Sequence, residues 1–374
     1  MQFFTQGERQ DNRKRLLLLI PIVLAVVALI LYFAGVFSSG TRHVSAVKLR
    51  CISTQEIKPF GDSILFYDGS NIVCLNKNGS EKWSYTVGSD ASFDAGNNAV
   101  VIWSGTQLSI LDKSGRSTYD NNVGQTIQFA RAGTKYICAV LGDDSSSDSS
   151  SVLKVYDLQG VEQDSESTAY EDMLIMDAGF FSDGDYLWTT AMDLYGTVPS
   201  TTLSTYRVPS MNTGSVELGE NIVYKVLYCG TKLNVISTRQ LRVYDYRGTQ
   251  DTTGTLLVYG WQLIDSDVSG QSAALLFAPS SEVASMSDIT DLRYIKGKAD
   301  KRFTLPAPCV GAAMYNNRIY AFSSDGIYRA DLNGSRFSVF SQPMSDSVTK
   351  YIGMLTSGTA IVACDLDVYV LTLP

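Results

Sequence analysis

Histidine is nearly missing from this sequence of 374 residues. Its one histidine, His43, precedes the region predicted below to form the folded domain. That domain therefore cannot hold a His-based catalytic triad or a histidine-ligated metal. Histidine-driven acid–base chemistry is excluded there for the same reason.

Cysteine is also scarce, and its six copies are scattered without a C-x-x-C pair. Six cysteines in a chain of this length are too few for a disulfide scaffold. Most of them sit in apolar, strand-like runs, which predicts free and buried thiols. A disulfide stays open as an alternative, since the sequence cannot assign a pairing. The six are Cys51, Cys74, Cys138, Cys229, Cys309 and Cys364.

Basic residues are fewer than acidic residues in this sequence. From Val44 onward the chain carries 25 basic and 36 acidic side chains, a net charge of −11, because five of its 30 basic and two of its 38 acidic residues come earlier. Such a charge argues against binding to nucleic acid or to an anionic lipid surface. At 18% charged and 45% hydrophobic residues, the chain is nevertheless far from a disordered composition.

One long apolar run is present, from Leu16 to Phe37, and it contains no charge. Its 22 residues would measure about 33 Å as a helix, against about 30 Å for a bilayer core. A cleaved signal peptide is the main alternative, but its apolar core would be shorter and end at small residues. Arg13, Lys14 and Arg15 precede the run and favour a cytoplasmic N-terminus. We therefore predict a cytoplasmic tail (1–15), a transmembrane helix (16–37), a linker (38–45) and an extracytoplasmic domain (46–374) at the cell membrane.

A repeated motif runs through the predicted outer domain. An apolar strand ends in Asp or Asn, and Gly follows three residues later, as in VCLNKNG, SILDKSG, KVYDLQG, RVYDYRG and RADLNG. This spacing predicts a type I turn, in which Asp or Asn bonds the backbone and Gly adopts a left-handed conformation. Weaker copies end at Gly214 and Gly297.

A second series of tight turns precedes these copies at intervals of about 42 residues. That period, with four short strands per repeat, is typical of a β-propeller blade. We predict an all-β, eight-bladed β-propeller, with seven blades as the alternative. The eight turns are Gly61-Asp62, Asn97-Asn98, Gly133-Thr134, Asp183-Gly184, Gly230-Thr231, Gly270-Gln271, Asn316-Asn317 and Gly358-Thr359.

Closure of the ring is predicted from the two ends of this region. The last repeat stops at its third strand, DVYVLTLP, whereas AVKLRCIS (46–53) is a strand without a repeat of its own. The early strand can take the outermost position beside the late one. Closure in this way removes an exposed sheet edge.

The repeat LNKNGSEKWSYTVG, with Trp83 after its glycine, resembles the repeats of quinoprotein-type (PQQ-like) propellers, and FFSDGDYLW is similar to the first turn of tryptophan–aspartate repeats. Propellers of this type include redox enzymes and non-catalytic envelope proteins. The layout of basic tail, single span and propeller also resembles a family of membrane-anchored propellers from Gram-positive bacteria. The resemblance implies fold and location only.

Loop lengths predict which face binds. The connections between second and third strands vary and are long at Gly142–Ser151, Met192–Ser200 and Pro279–Asp288. Insertions confined to one face typically mark a binding face. We expect this face to point away from the membrane. The candidate binding residues on it are Asp143, Asp144, Asp148, Asp193, Tyr195, Glu282 and Asp288.

Catalytic chemistry has little support. GDDSSSDSSS lacks the spacing of a calcium loop and predicts a solvated segment, with no metal. Four carboxylates could serve glycoside hydrolysis, but Asp is common at strand ends. No cofactor is predicted, because the four tryptophans are best explained by packing between blades. The prediction is a non-catalytic scaffold or sensor that binds a protein or envelope polymer; the alternative is an enzyme with a quinoprotein-like or carbohydrate-active site in the central channel. The carboxylates are Asp265, Asp267, Asp288 and Asp291, and the tryptophans Trp83, Trp103, Trp188 and Trp261.

Overall fold

The computed structural model describes residues 44–142, 151–167, 170–193, 195–209, 214–280 and 289–374. These residues form β-strands joined by turns, and all 31 strands belong to one compact unit, Ser45–Thr372. Within the described ranges, no helix has the length and apolarity to cross a bilayer. The predicted tail, transmembrane helix and most of the linker lie outside these ranges.

The strands follow each other in chain order with short connections. The first half contains β1 (Ser45–Ile52), β2 (Ile57–Phe60), β3 (Ser63–Tyr67), β4 (Asn71–Asn76), β5 (Glu81–Thr86), β6 (Ser92–Ala95), β7 (Ala99–Ser104), β8 (Gln107–Asp112), β9 (Ser117–Asn122), β10 (Thr126–Ala132), β11 (Tyr136–Gly142), β12 (Ser151–Asp157), β13 (Glu162–Glu166), β14 (Met173–Phe180), β15 (Tyr186–Asp193), β16 (Ser200–Arg207) and β17 (Gly214–Gly219). The second half contains β18 (Val223–Cys229), β19 (Lys232–Ser237), β20 (Gln240–Asp245), β21 (Gln250–Leu257), β22 (Trp261–Asp267), β23 (Ala274–Pro279), β24 (Ile289–Lys296), β25 (Ala299–Tyr315), β26 (Arg318–Ser323), β27 (Gly326–Asp331), β28 (Ser338–Ser341), β29 (Lys350–Met354), β30 (Thr359–Cys364) and β31 (Asp367–Thr372).

Antiparallel pairing assembles the strands into six four-stranded sheets and one seven-stranded sheet. Sheets 1 to 5 are β2–β5, β6–β9, β10–β13, β14–β17 and β18–β21. The double sheet is β22–β28, and the closing sheet has the order β29-β30-β31-β1. We label the strands of a four-stranded sheet A to D in this order. In the double sheet, β25 takes the D position beside β24 and the A position beside β26.

The closing sheet joins the two ends of the folded unit. β1 pairs with β31 in a register that sets Ser45 opposite Thr372 and Lys48 opposite Tyr369. The ammonium group of Lys48 also bonds the carboxylate of Asp367. The predicted closing strand, 46–53, is thus confirmed as the outermost strand of the last sheet.

Each sheet packs on the next, and the closing sheet packs on sheet 1. One apolar cluster holds Ile361 and Val370 of the closing sheet against Ile64 of sheet 1. Between the double sheet and the closing sheet, Phe322 stacks on Tyr351 with 5.0 Å between ring centroids. The A strands also touch around the inside, including β29 against β2. This circular succession of small antiparallel sheets is a β-propeller.

The long strand β25 was not expected from the repeats. It pairs with β24 as far as Cys309 and with β26 from Cys309 onward, so the chain passes between two sheet positions without a loop. Pro306 and Pro308 lie at this crossing. Proline fixes φ at a value suited to extended backbone and brings no N–H that would need a partner.

The repeated turns form as predicted, with one exception. In four of the five clear copies the closing glycine has a φ of 80° or 81° and its N–H bonds the carbonyl of the Asp or Asn three residues earlier. Asp157 shows why the acid recurs, since its Oδ1 accepts the backbone N–H groups of Gln159 and Val161, both at 2.9 Å. At Gly334 the turn hydrogen bond is present at 2.8 Å, but φ is not left-handed.

The turn glycines also join neighbouring sheets. Gly115 of sheet 2 lies under the indole of Trp83 of sheet 1, whose Nε1 donates to the carbonyl of Lys113 at 3.1 Å. Gly160 of sheet 3 lies in the same way under Tyr119 of sheet 2, where an added Cβ would come within 1.9 Å of the ring. Glycine is required at both positions for its φ and for the close approach of the D-strand side chain.

The six cysteines are all free and buried, as predicted. Burial raises the pKa of Cys51 to about 11 and that of Cys138 and Cys309 to about 12. A thiol held in its protonated form is a poor nucleophile and a poor metal ligand. These cysteines therefore act as small apolar side chains of the core.

Gly160→Ala should destabilise the protein more than Gly124→Ala. Both glycines have a positive φ, but only Gly160 faces a ring, whereas nothing lies within 4 Å of a Cβ at Gly124. We expect Gly124→Ala to cost about 1 kcal/mol from backbone strain and Gly160→Ala about 1–3 kcal/mol more from the clash with Tyr119. Urea unfolding followed by circular dichroism measures both. Equal losses in the two variants would contradict the proposed contact between sheets.

Candidate binding face

The propeller has two faces that differ in their connections. A–B and C–D turns form one face, here called the turn face, and all eight predicted tight turns lie between A and B strands. B–C and D–A connections form the other, here called the loop face. The three long connections predicted from the sequence follow β11, β15 and β23, and they are B–C connections of the loop face.

Of the seven predicted binding residues, the structure describes two. Asp193 ends β15, and its Oδ1 accepts the backbone N–H of Tyr195 at 2.8 Å. This bond turns the chain at the start of the connection, where the Tyr195 side chain is 55% exposed. Their role in binding stays a prediction. Asp143, Asp144, Asp148, Glu282 and Asp288 lie outside the described residues.

Large exposed apolar side chains are distributed unevenly between the faces. Among the described residues, eight of the twelve lie at the loop face, two at the turn face and two on strands elsewhere. Contiguous exposed apolar patches mark interaction surfaces, and two of these residues, Tyr224 and Tyr259, line one groove. Those of the loop face are Ile52, Tyr195, Val198, Ile222, Tyr224, Leu257, Tyr259 and Leu366; those of the turn face are Val161 and Val268.

A groove opens on the loop face between sheet 5 and the double sheet, with a volume of about 650 Å³. We call it the aromatic groove, because three of the seven described residues that line it are aromatic and none of these seven is charged. Its size is within the range of sites that take small molecules or peptide side chains. The lining residues are Tyr224, Thr238, Tyr259, Gly260, Trp261, Gln262 and Ser280.

A tight turn places Tyr259 at the rim of this groove. The Trp261 N–H donates to the Val258 carbonyl at 2.9 Å, and Gly260 has a φ of 79°. Glycine with positive φ at the third position is typical of a type II turn. Tyr259, at the second position, projects from the tip and is 79% exposed. The Gly260 carbonyl accepts the Ser280 N–H at 2.8 Å, which ties the turn to the neighbouring connection.

Two arginines hold Trp261 in place. The guanidinium carbons of Arg302 and Arg293 lie 5.4 and 6.0 Å from the indole centroid, within reach of a cation–π interaction. Arg293 also donates to the Leu257 carbonyl at 2.9 Å and forms an ion pair with Asp300. These contacts favour one orientation of the Trp261 side chain in the groove wall.

Sequence reasoning did not select the residues of this groove. Trp261 was assigned to packing between blades, and it does touch the apolar cluster of sheet 5 and the double sheet, but it also lines the groove. The available signal was the run LLVYGW, an apolar D–A connection where polar turn residues are usual. That signal is weak, because exposure cannot be read from an apolar run.

The acids considered for catalysis are engaged in structural hydrogen bonds. Asp265 Oδ2 accepts the Met314 N–H at 2.6 Å from the next A strand, and Asp94 Oδ2 accepts the Ala132 N–H at 3.0 Å in the same way. Asp267 accepts from Ser269 within its own turn, and Asp291 accepts from Thr304. Asp288 is outside the described residues. Across the described ranges, no group of three or more His, Cys, Asp or Glu side chains could hold a metal.

Comparison with known proteins places the chain in a family. The model of the family of unknown function DUF5711 matches residues 39–368. The chain belongs to this family. No curated protein matches the chain.

Solved structures similar to this DUF5711 member include two propellers. BamB from Moraxella catarrhalis is 12% identical, with 88% of this chain and 97% of that chain covered and a TM-score of 0.53. Sqt1 from Saccharomyces cerevisiae is 11% identical, with 88% and 96% covered and a TM-score of 0.56. At this identity the likeness supports the fold alone.

Asp265 should make the protein less stable as the pH rises from 4 to 6. Burial raises its pKa to about 6, so between the ordinary value of 3.8 and 6 the folded protein holds a proton that the unfolded chain releases. Relative to Asp265→Asn, which keeps an acceptor for Met314, the wild type should lose on the order of 2–3 kcal/mol across this window. Urea unfolding at a series of pH values measures the difference.

Asp267→Asn is the matched control for this experiment. Hydrogen bonds from Ser269 lower the pKa of Asp267, so its contribution has the opposite sign and is lost as the pH falls through that lowered pKa. Parallel stability curves for the wild type and Asp265→Asn would show that this carboxyl is not buried as described.

Proposed function

We propose that the protein is a membrane-anchored, extracytoplasmic propeller that binds a partner protein through its loop face, as a non-catalytic scaffold or sensor. The observation that carries the proposal is the concentration of exposed apolar side chains on that face, since aromatic residues such as Tyr195 and Tyr259 dominate the energetics of protein interfaces. The likeness of the repeats to quinoprotein-type propellers, and of the layout to anchored propellers of Gram-positive bacteria, belongs to the same proposal.

The proposal takes the ring to have eight blades. Support comes from β25, which pairs as a fourth strand with β22–β24 and as a first strand with β26–β28. Counted in this way, the double sheet contributes two blades to the six of the other sheets. Propellers typically close with about four to eight four-stranded blades, so eight is within the usual range.

The anchor would be the apolar run of residues 16–37, with the turn face toward the bilayer. Support comes from β1, whose first residue Ser45 pairs with Thr372 and so starts on the turn face. The linker of eight residues predicted before it reaches at most about 28 Å. A short tether attached to the turn face leaves the loop face free for a partner.

Depth-dependent quenching tests this orientation. Fluorophores on cysteines placed at Asn78 and Ser70 report on the turn face and the loop face of the same sheet, and the native thiols are buried. In vesicles that contain the full-length protein, quenchers attached to lipid headgroups should quench the label at position 78 more strongly. Stronger quenching at position 70 would reverse the orientation.

Photocrosslinking in intact membranes tests the binding face. A photoreactive amino acid at Tyr195 or Tyr259 should yield discrete protein adducts, because these positions would touch the partner. The control is Val161, which is 57% exposed but lies on the turn face, and it should yield few. Adducts at position 161 alone, or at no position, would contradict the proposal.

A further inference from the structure

We propose that the aromatic groove binds an extended, proline-containing peptide segment in the polyproline II conformation. The inference rests on the proposed function, since it names the chemistry of the partner at the loop face. Such segments dock into grooves lined by aromatic side chains and lose little entropy, because their conformation exists before binding. The lining of the groove agrees with this mode in its aromatic side chains, hydrogen-bond donors and charge.

The three aromatic side chains are held by different elements. Tyr224 comes from the start of β18, Tyr259 from the tip of the turn before β22, and Trp261 from the first position of β22. Trp261 lies beside two arginines and Tyr224 is bonded through its hydroxyl, whereas the Tyr259 ring projects into solvent from a turn with a fixed backbone. Three aromatic side chains around one groove suit the rings of successive prolines, which pack on aromatic faces.

The groove offers hydrogen-bond donors to a ligand. The Tyr224 hydroxyl accepts the Leu263 N–H at 3.1 Å, which leaves its own proton free to donate. The indole N–H of Trp261 can only donate. A proline-containing segment in this conformation exposes its carbonyl groups and lacks N–H groups at each proline, so it needs such donors. Four lining side chains make no hydrogen bond with any residue in the described ranges: Thr238, Trp261, Gln262 and Ser280.

Charge separates this ligand from other classes. None of the lining residues that the structure describes is charged, and the nearby Arg293 is paired with Asp300. The acidic chain from Val44 onward disfavours an anionic ligand. A neutral glycan is the remaining competitor, and the test below includes its binding as an outcome that would overturn the inference.

The test measures binding of a fluorescein-labelled peptide of ten prolines to the full-length protein in detergent micelles. Fluorescence anisotropy should rise on titration with protein, and a glycine–serine peptide of equal length should leave it unchanged. Tyr259→Ala should weaken binding by about tenfold or more, as for a central aromatic contact. Alanine is tolerated at this turn position, so the variant keeps the fold.

Leu366→Ala is the matched control, since Leu366 is an exposed apolar residue of the loop face on the distant closing sheet. The Leu366→Ala variant should bind the proline peptide with the same affinity as the wild type. Three results would each overturn the inference. The first is an equal loss of affinity in both variants, and the second is absence of binding to the proline peptide. The third is binding of a labelled neutral chitin oligosaccharide instead of the peptide, with loss of that binding in Tyr259→Ala. The photocrosslinking experiment tests the proposed function separately. Protein adducts at Tyr259 would support that function even if the proline peptide does not bind. Absence of adducts from the whole loop face would contradict it.

Discussion

The pairing of β1 with β31 is the contact on which the rest of the molecule depends. A propeller has no single core; its stability is spread over apolar layers between neighbouring sheets, such as the one that holds Ile361 against Ile64. Those layers form a ring only if the last sheet also meets the first. β1 completes the last sheet, and its Leu49 and Cys51 contribute to the same layer. A second link on the turn face, from Asp62 to Thr356 and Ser357, joins the same two sheets.

Much of this fold could be predicted from the sequence, because the same turn motif and strand pattern recur in successive propeller repeats. The D-x-x-G turns need a carboxylate that bonds backbone N–H groups and a glycine with left-handed φ, so Asp157 and Gly160 are visible without a structure. Closure by 46–53 followed from counting strands. The continuity of β25 could not be predicted, since Pro306 and Pro308 usually indicate a break and here maintain an extended chain.

The candidate site was far less predictable, for a physical reason. Loop length and acidity selected the B–C connections, but of those residues only Asp193 and Tyr195 are described, and they form a local turn. The aromatic groove depends on how two neighbouring sheets present Tyr224 and Trp261 to solvent, and apolar residues read the same whether they are buried or exposed. The buried acids show the reverse case. Asp265 was considered as a catalytic carboxylate, yet it bonds a backbone N–H of the next A strand, as Asp94 does in another sheet.

The arrangement of the closing sheet has a consequence for biosynthesis. Lys48 and Asp367 bond across a separation of 319 residues, so the first of the described strands to be synthesised must wait for the last of them. Until β31 has been synthesised, β1 has no lateral partner and the ring stays open, with the apolar layer between its first and last sheets exposed. Contacts between such distant residues are slow to form. The nascent chain therefore passes through a long interval in which other proteins can reach its unfinished edge.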